Sequence, residues 1–358
     1  MLGLFRRTPP PLVGIDISTT AIKLLGLSAH GDSYRVDHYA VTPLPPEAIA
    51  EKNIVAPELV VEALEKVIKL AKVKVKHVAI AVSGSSVITK TITMPGDLPG
   101  KQMGEQISLE ADQYIPYSLD EVYLDFQVLG PNKDNAETVD VLLAAARSDT
   151  VDQRVDVIAD TGLIANVVDI EAYAMEAAYK LVARQLPADI RNATIAIVDI
   201  GATATTLNII QNGQSIFTRD QNLGGRQLTD EIQHRYGLSP EDAGRAKKSG
   251  ELPDDYATDL LQPFIESLAK QTSRLLQTFF SSTSLQQIDQ IILCGGTALL
   301  PGLVEIMEQQ IGVPALVADP FAEMKTASRV NTDNLQKDAA SLMIACGLAM
   351  RSLDDATR

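Results

Sequence analysis

One segment of this chain occurs twice. Residues 13–24 read VGIDISTTAIKL and residues 196–207 read AIVDIGATATTL, so Asp16 and Asp199 fall in register, 183 residues apart. Each copy is an apolar strand, an aspartate, a run of small and hydroxyl residues, and a second apolar strand. A third strand pattern follows each, at residues 34–41 and 214–222. A chain whose halves begin alike is expected to fold as a duplicated α/β core with a cleft between the halves. Its 358 residues suffice for two such halves.

The residue types in the repeat suit phosphate. A tight hairpin turns successive backbone N–H groups outward into an anion nest. Small residues such as Gly201 and Ala202 let phosphate oxygens approach the backbone. Ser18, Thr19, Thr20 and Thr203 add hydroxyl donors. Asp16 and Asp199 at the strand ends are candidates to hold a hydrated Mg²⁺, an ion that needs few direct protein ligands. A third element, IILCGGTALLPG at residues 291–302, reads as a buried strand, a diglycine and a helix. Gly295, Gly296, Thr297 and Leu300 are expected to receive a base or ribose at that helix start. Gly224 and Gly225 open a helix in LGGRQLT at residues 223–229. They are expected near the phosphates or ribose, with a plain strand-to-helix turn as the alternative.

Between the repeats the pattern changes texture. Strand and helix alternate up to residue 83, with a helix over residues 57–73 starting on Pro57. Residues 84–148 then read as a β-α-β-β block, after which the earlier rhythm resumes. The expected division is therefore a first half at residues 1–83 and 149–190, an inserted small subdomain at 84–148, and a second half at 191–358. Residues 225–285 of that second half form a mainly helical part. Final helices are expected at residues 299–311 and 338–352.

Composition narrows the function. Thirty-one basic against 46 acidic residues give a net charge of −15. That field repels phosphate backbones and argues against general nucleic-acid binding, though not against one nucleotide held by backbone amides. Cys294 and Cys346 form no disulfide framework and no zinc spacing, which fits a reducing cytosol. The histidines at 30, 38, 77 and 234 are scattered rather than clustered. No run reaches the ~20 apolar residues of a membrane span. Met1–Arg7 has an apolar run before its two arginines, the reverse of a secretory signal. It is too weak for a stable anchor and is expected to be an unstructured terminus.

With these motifs in order along the whole chain, the sequence resembles the actin-like ATPase superfamily. Residues 16–20 look like its first phosphate loop, residues 199–203 like its second, and residues 294–300 like its adenosine loop. DAASLMIACG at residues 338–347 looks like its second connecting helix. The displaced small block is similar to that of the cell-division protein FtsA. The match is closer still to the PilM family of type IV pilus assembly, through EKNI at 51–54, ITKTI at 88–92, ADQYIPY at 111–117, VDVLLA at 139–144 and VDIEAY at 168–173. This resemblance implies a cytoplasmic scaffold, peripheral at the inner membrane through a partner, that binds ATP and Mg²⁺. The implied partner is the N-terminal cytoplasmic peptide of PilN, with pilus motor ATPases and a platform protein beyond it. Ser18 stands where the first loop usually has glycine, so weak or absent hydrolysis is expected, and no catalytic residue is assigned.

Several residues keep two readings. Lys247 lies where the superfamily often places a helix residue that contacts purine or ribose, and a solvated helix face is the alternative. Asp169 and Glu171 are candidates to position a water, or Glu171 is a charge favoured at a helix N-terminus. Lys23 points to phosphate or, somewhat favoured, to solvent. Ile92, Tyr114, Ile115 and Tyr117 are expected to wall a groove for an extended partner peptide, with a place in the core of the small subdomain as the alternative for Tyr114, Ile115 and Tyr117. The rival function is a small-molecule kinase of the same fold. That would need a catalytic base and an acceptor pocket, which a short β-rich insertion does not favour.

Overall fold

The computed structural model describes residues 11–30, 33–190 and 193–354. Met1–Arg7, expected to be an unstructured terminus, lies outside them. The first half opens with a meander of β1 (Leu12–Ser18), β2 (Ala21–His30) and β3 (Ser33–Pro43). A short hairpin of β4 (Ile49–Ala50) and β5 (Asn53–Ile54) precedes α1 (Pro57–Ala71) and β6 (His77–Val82). In α1 the buried Val60, Ala63, Leu64, Val67 and Ala71 recur at helical spacing, and Pro57 sits where its missing N–H has no partner to lose.

The chain then builds β7 (Val87–Pro95), α2 (Gly100–Glu110), β8 (Val122–Pro131) and β9 (Thr138–Arg147). These strands form their own antiparallel sheet, in the order β7-β9-β8. Ile92, Met94, Met103, Ile107, Ala111, Ile115, Val141, Leu143 and Ala145 make a separate apolar cluster beneath it. From there α3 (Ser148–Asp160), β10 (Ile164–Ile170) and α4 (Glu171–Val182) return to the first half.

The second half repeats the meander as β11 (Thr194–Ile200), β12 (Thr205–Gln211) and β13 (Gln214–Gln221). Helices α5 (Gly225–Tyr236), α6 (Pro240–Ser249) and α7 (Gln262–Ser282) follow. Then come β14 (Gln290–Cys294), α8 (Leu303–Ile311), β15 (Ala315–Val317), β16 (Lys325–Thr326), α9 (Thr332–Asp338) and α10 (Met343–Asp354). The strand orders are β10-β6-β1-β2-β3-β16 and β13-β12-β11-β14-β15. Read from the outer parallel strand inward, both sheets place two parallel strands beside the same three-stranded meander. The duplication seen in the residues is thus a duplication of topology.

Two expected helices start later. The first of these, α8, begins at Leu303 rather than at residue 299, because Pro301 disfavours helix in the residue before it and Gly302 is left-handed (φ 80°). The diglycine therefore lies in an eight-residue turn and not at a helix start. Ala339–Leu342 forms a 3₁₀ turn before α10. That tight turn presents the Ala340 carbonyl, which accepts from the Gly295 amide at 2.8 Å. Among the described residues no helix is long and apolar enough to cross a membrane.

Candidate functional site

The two repeated hairpins face each other. The Thr19 and Thr203 hydroxyls stand 3.4 Å apart, within hydrogen-bond reach, where the two halves meet. Ser18 donates to the Ala21 carbonyl at 2.9 Å, closing its own turn, and the Gly201 amide does the same to Ala204 at 2.9 Å. The serine in place of glycine is thus accommodated inside the first hairpin. Thr20 is exposed at the tip.

Asp16 is buried, at 3% exposure, and its partner is Lys23 at 2.9 Å. The alternation of β2 carries Lys23 into the cleft, because it pairs across from Asp16 in the β1–β2 ladder. The preference for a solvent-facing Lys23 is therefore corrected. Burial lowers the pKa of its ammonium, but the charge of Asp16 and their hydrogen bond outweigh this and leave it raised. Asp199 lies alongside. Burial first, and then the charge of Asp16 against the opposing pull of Lys23, leave its carboxyl above the usual range. The buried Cys294 thiol is also pushed up, by burial and by Asp199. Among the described residues no group of three His, Cys, Asp or Glu side chains gathers as a metal cage. The donor set fits Mg²⁺ held mainly by phosphate and water, with two carboxylates behind it.

Gly224, Gly225, Thr297 and Lys247 form one corner of the second half. The Gly225 amide donates to Gly201 O at 3.0 Å and Arg226 N to Ala202 O at 2.8 Å. These helix-start amides are spent on the second hairpin and hold it in place. Thr297 Oγ1 donates to Gly201 O at 3.0 Å, and a Cβ on Gly225 would collide with that hydroxyl. Lys247 is no solvated helix face: its Nζ donates to Gly225 O at 2.7 Å and Thr229 Oγ1 at 2.6 Å. Burial, with Lys248 second, pulls its pKa down to about 8 from 10.5. Leu300 is partly buried in the turn, and Gly296 is exposed.

The lowered Lys247 value makes a testable pH dependence. Below about pH 8 the group is charged and donates strongly; above it the charge is lost. Nucleotide affinity is expected to fall several-fold between pH 7 and 9, since a charged hydrogen bond contributes about 1.5–3 kcal/mol. Bound nucleotide would favour the charged form, so binding at pH 8 takes up a proton. Calorimetry in buffers of different ionisation enthalpy checks both effects, and the Lys247→Met variant should show neither.

Residues that the sequence left without a role complete the cleft. Lys52, in the turn between β4 and β5, reaches Asp220 Oδ2 at 2.7 Å, Ser83 Oγ at 2.9 Å and Glu171 at 3.7 Å. Asp220 belongs to β13, so this ion pair spans the two halves. Burial raises the Glu171 carboxyl, with Lys52 opposing. Asp169, by contrast, is tied to Arg351 at 2.5 Å, joining β10 to α10. Arg154 on α3 is 3% exposed and donates to the Lys52 carbonyl at 3.0 Å, while its Nε and Nη1 have no hydrogen-bond partner among the described residues.

Behind this wall lies a cavity of about 380 Å³, at the junction of the small sheet with the first half. Asn53, Ser86, Tyr117, Arg147, Thr150 and Gln153 are among its lining. Tyr117 is 43% exposed, with the Arg147 guanidinium 5.9 Å from its ring centre. Ile92 and Ile115 are not groove walls. At 6% and 4% exposure they belong to the core under the small sheet, because even-numbered positions of β7 near Ile92 turn towards α2. Tyr114 packs against that core and carries the Lys90 ammonium 4.6 Å over its ring.

Two matched sheets flanking a cleft, each with a hairpin that carries an aspartate near the end of its first strand, define an actin-like ATPase fold. The ethanolamine utilization protein EutJ from Carboxydothermus hydrogenoformans shares it, with a TM-score of 0.56 at 17% identity over 96% of this chain and 90% of that one. A structure described as the PilM–PilN type IV pilus biogenesis complex matches with a TM-score of 0.80 and 26% identity, over 96% of this chain and 98% of that chain. The family model of type IV pilus assembly protein PilM matches residues 14–353. The chain belongs to that family. It is also 27% identical over 157 residues to the cell division protein FtsA of Bacillus subtilis (strain 168). That alignment spans 38% of this chain and only 36% of the length of FtsA.

Proposed function

We propose that this protein is a nucleotide-binding scaffold of type IV pilus assembly. ATP with Mg²⁺ occupies the cleft, and the N-terminal cytoplasmic tail of PilN occupies the junction cavity, which holds the protein peripherally at the inner membrane. The observation that carries the reading is the meeting of the two hairpins, Thr19 against Thr203 at 3.4 Å, with Asp16 and Asp199 behind them. A chain of phosphates lying against both turns would use their backbone and hydroxyl donors at once. Bound Mg²⁺ would supply charge neutralisation for those phosphates. The similarity to a structure of a PilM–PilN complex supports the choice of partner. The cavity beside the exposed Tyr117 supports its place. An aromatic ring flanked by backbone and polar groups suits an extended peptide. Motor ATPases and the platform protein are the expected further contacts. The Glu171 carboxylate lies near Lys52 and is not poised on open solvent, which supports slow turnover and disfavours the kinase alternative.

Calorimetric titration of the full chain tests the reading. Wild type is expected to bind ATP more tightly with Mg²⁺ than without. Asp199→Asn should abolish that difference, with at least a tenfold loss of Mg·ATP affinity. Tyr117→Ala should weaken a synthetic PilN tail peptide more than tenfold at unchanged melting temperature, as expected for an aromatic anchor. Full affinity for both ligands in the folded variants would place both sites elsewhere.

A further inference from the structure

The last turns of α1 and the segment after it are basic in an acidic protein. Residues 66–77 read KVIKLAKVKVKH, with five lysines and no aspartate or glutamate, in a chain of net charge −15. Lys66, Lys69, Lys72, Lys74 and Lys76 are all exposed. Lys66 is paired with Glu62 at 2.8 Å. Among the described residues the other four have no ion-pair partner.

The fold holds these charges on a fixed platform. Lys72 closes α1 in the left-handed conformation, φ 52°, where glycine is the usual residue, and its amide donates to Lys69 O at 3.2 Å. Val73 N donates to Ile68 O at 3.3 Å, and His38 Nδ1 lies 2.8 Å from Ala71 O, which ties the helix end to β3. Beyond it exposure alternates: Lys74 and Lys76 are exposed, Val73 and Val75 half-buried. Two large aliphatic side chains stand beside the lysines, Leu70 at 63% exposure and Ile164 at 51%. The Ile164 amide donates to Lys76 O at 2.8 Å. Strands β1, β6 and β10 start at this end, since Leu12 and Ile164 both pair with His77. Asp16 and its hairpin lie at the other end of β1.

We propose that this end of the first half rests on an anionic lipid surface, with Lys69, Lys72, Lys74 and Lys76 against the headgroups and Leu70 and Ile164 in the interfacial layer. At physiological ionic strength charges are screened over about 8 Å, so a bilayer meets the field of the nearest end and not that of the acidic remainder. The uneven charge also turns the basic end towards a negative surface. Each lysine held near such a surface strengthens partitioning about fivefold. The exposed aliphatic groups favour a bilayer over an acidic protein or a nucleic acid, because lysine heads stay with the headgroups while apolar neighbours enter the acyl boundary. This contact adds a second attachment to the peripheral placement proposed above. It uses no residue of the cavity or the cleft and so does not depend on either ligand.

Sedimentation of the full chain with vesicles, in the absence of peptide and nucleotide, tests the contact. Binding is expected on vesicles of equal parts phosphatidylglycerol and phosphatidylcholine and not on phosphatidylcholine alone. It should fall at least tenfold when salt rises from ~0.1 to ~0.5 M. The triple variant Lys69→Glu/Lys74→Glu/Lys76→Glu should lose at least twentyfold, and Leu70→Ser about threefold, each at the wild-type melting temperature. Wild type that ignores the anionic vesicles at low salt, or binds both kinds alike, overturns the proposal. So does full binding by the folded triple variant. Binding that survives the triple reversal and vanishes in Leu4→Asp/Phe5→Asp would move the contact to the start of the chain and overturn it for these lysines. Nucleotide and peptide affinities should be unchanged in the triple variant, so failure of the lipid contact leaves the functional reading standing.

Discussion

A valine at Gly347 is expected to destabilise the protein by about 4 kcal/mol or more, above the usual range for overpacking. Helix α10 crosses α4 so closely that a Cβ on Gly347 would overlap the carbonyl oxygen and carbon of Ala174, and even its Cα. These are backbone atoms of a helix and cannot rotate aside. The same helix meets β1 on its other side, where a Cβ on Gly14 would fall 2.6 Å from Ala349 N and 2.8 Å from Leu348 Cβ. With a helix pinned at two backbone contacts, relief on one side increases overlap on the other. The measurement is the thermal midpoint, or failing that the soluble folded yield. Gly244→Ala is the control, since nothing lies within 4 Å of a Cβ there. A Gly347→Val protein melting within a few degrees of wild type would contradict this account of the packing.

The second large effect separates two adjacent glycines. Gly295 has φ 88°, and a Cβ there would meet Asp199 Oδ1 and the Ile200 carbonyl. Valine at this position combines a left-handed β-branched residue with a backbone collision, and is expected to unfold the second half. Gly296 is exposed, with nothing within 4 Å of its Cβ position. Gly296→Val should keep the wild-type melting temperature and lower ATP affinity more than tenfold, if the base rests on that backbone as proposed. Nucleotide binding at full strength in folded Gly296→Val removes this turn from the site. A well-folded Gly295→Val would show that the left-handed turn is not required.

Much of this was legible in the residues because it is local or periodic. The hairpins at Asp16 and Asp199 are read from two short runs in register, and their ladders form as their alternation requires. The β-α-β-β block was equally visible, since every strand in it alternates. What stayed hidden depends on partners far along the chain. Lys52 sits in a hairpin whose strands are two residues long, too short for any period, and its partner Asp220 is 168 positions away. Arg154 looks like an ordinary polar position of an amphipathic helix until the β4–β5 turn covers it. Ile92 is a core residue and not a groove wall, and the core alternative is the one Ile115 takes, because an apolar face has the same pattern whether it meets a peptide or its own helix. The late start of α8 was readable from Pro301 and Gly302. Lys23 needed only the strict two-residue alternation of β2 to be placed beside Asp16.

The placement of α10 has a consequence for how the protein is made. Strands β1 and β2 are made long before the helix that covers them, which spans Met343–Asp354, and before the strand that completes their sheet at β3, Lys325–Thr326. Until α10 is made, the apolar face around Leu12, Leu25, Leu27 and Val36 shares its cluster only with earlier residues such as those of α4 and lacks the cover of Met343, Ala345, Leu348 and Ala349. Local helices and the small sheet can form early, but the first half must wait for contacts more than 300 positions away in the chain, which is a slow and aggregation-exposed route. A transcript ending before codon 343 should therefore yield a product bound by chaperones and degraded, even though every cleft residue named above has already been translated.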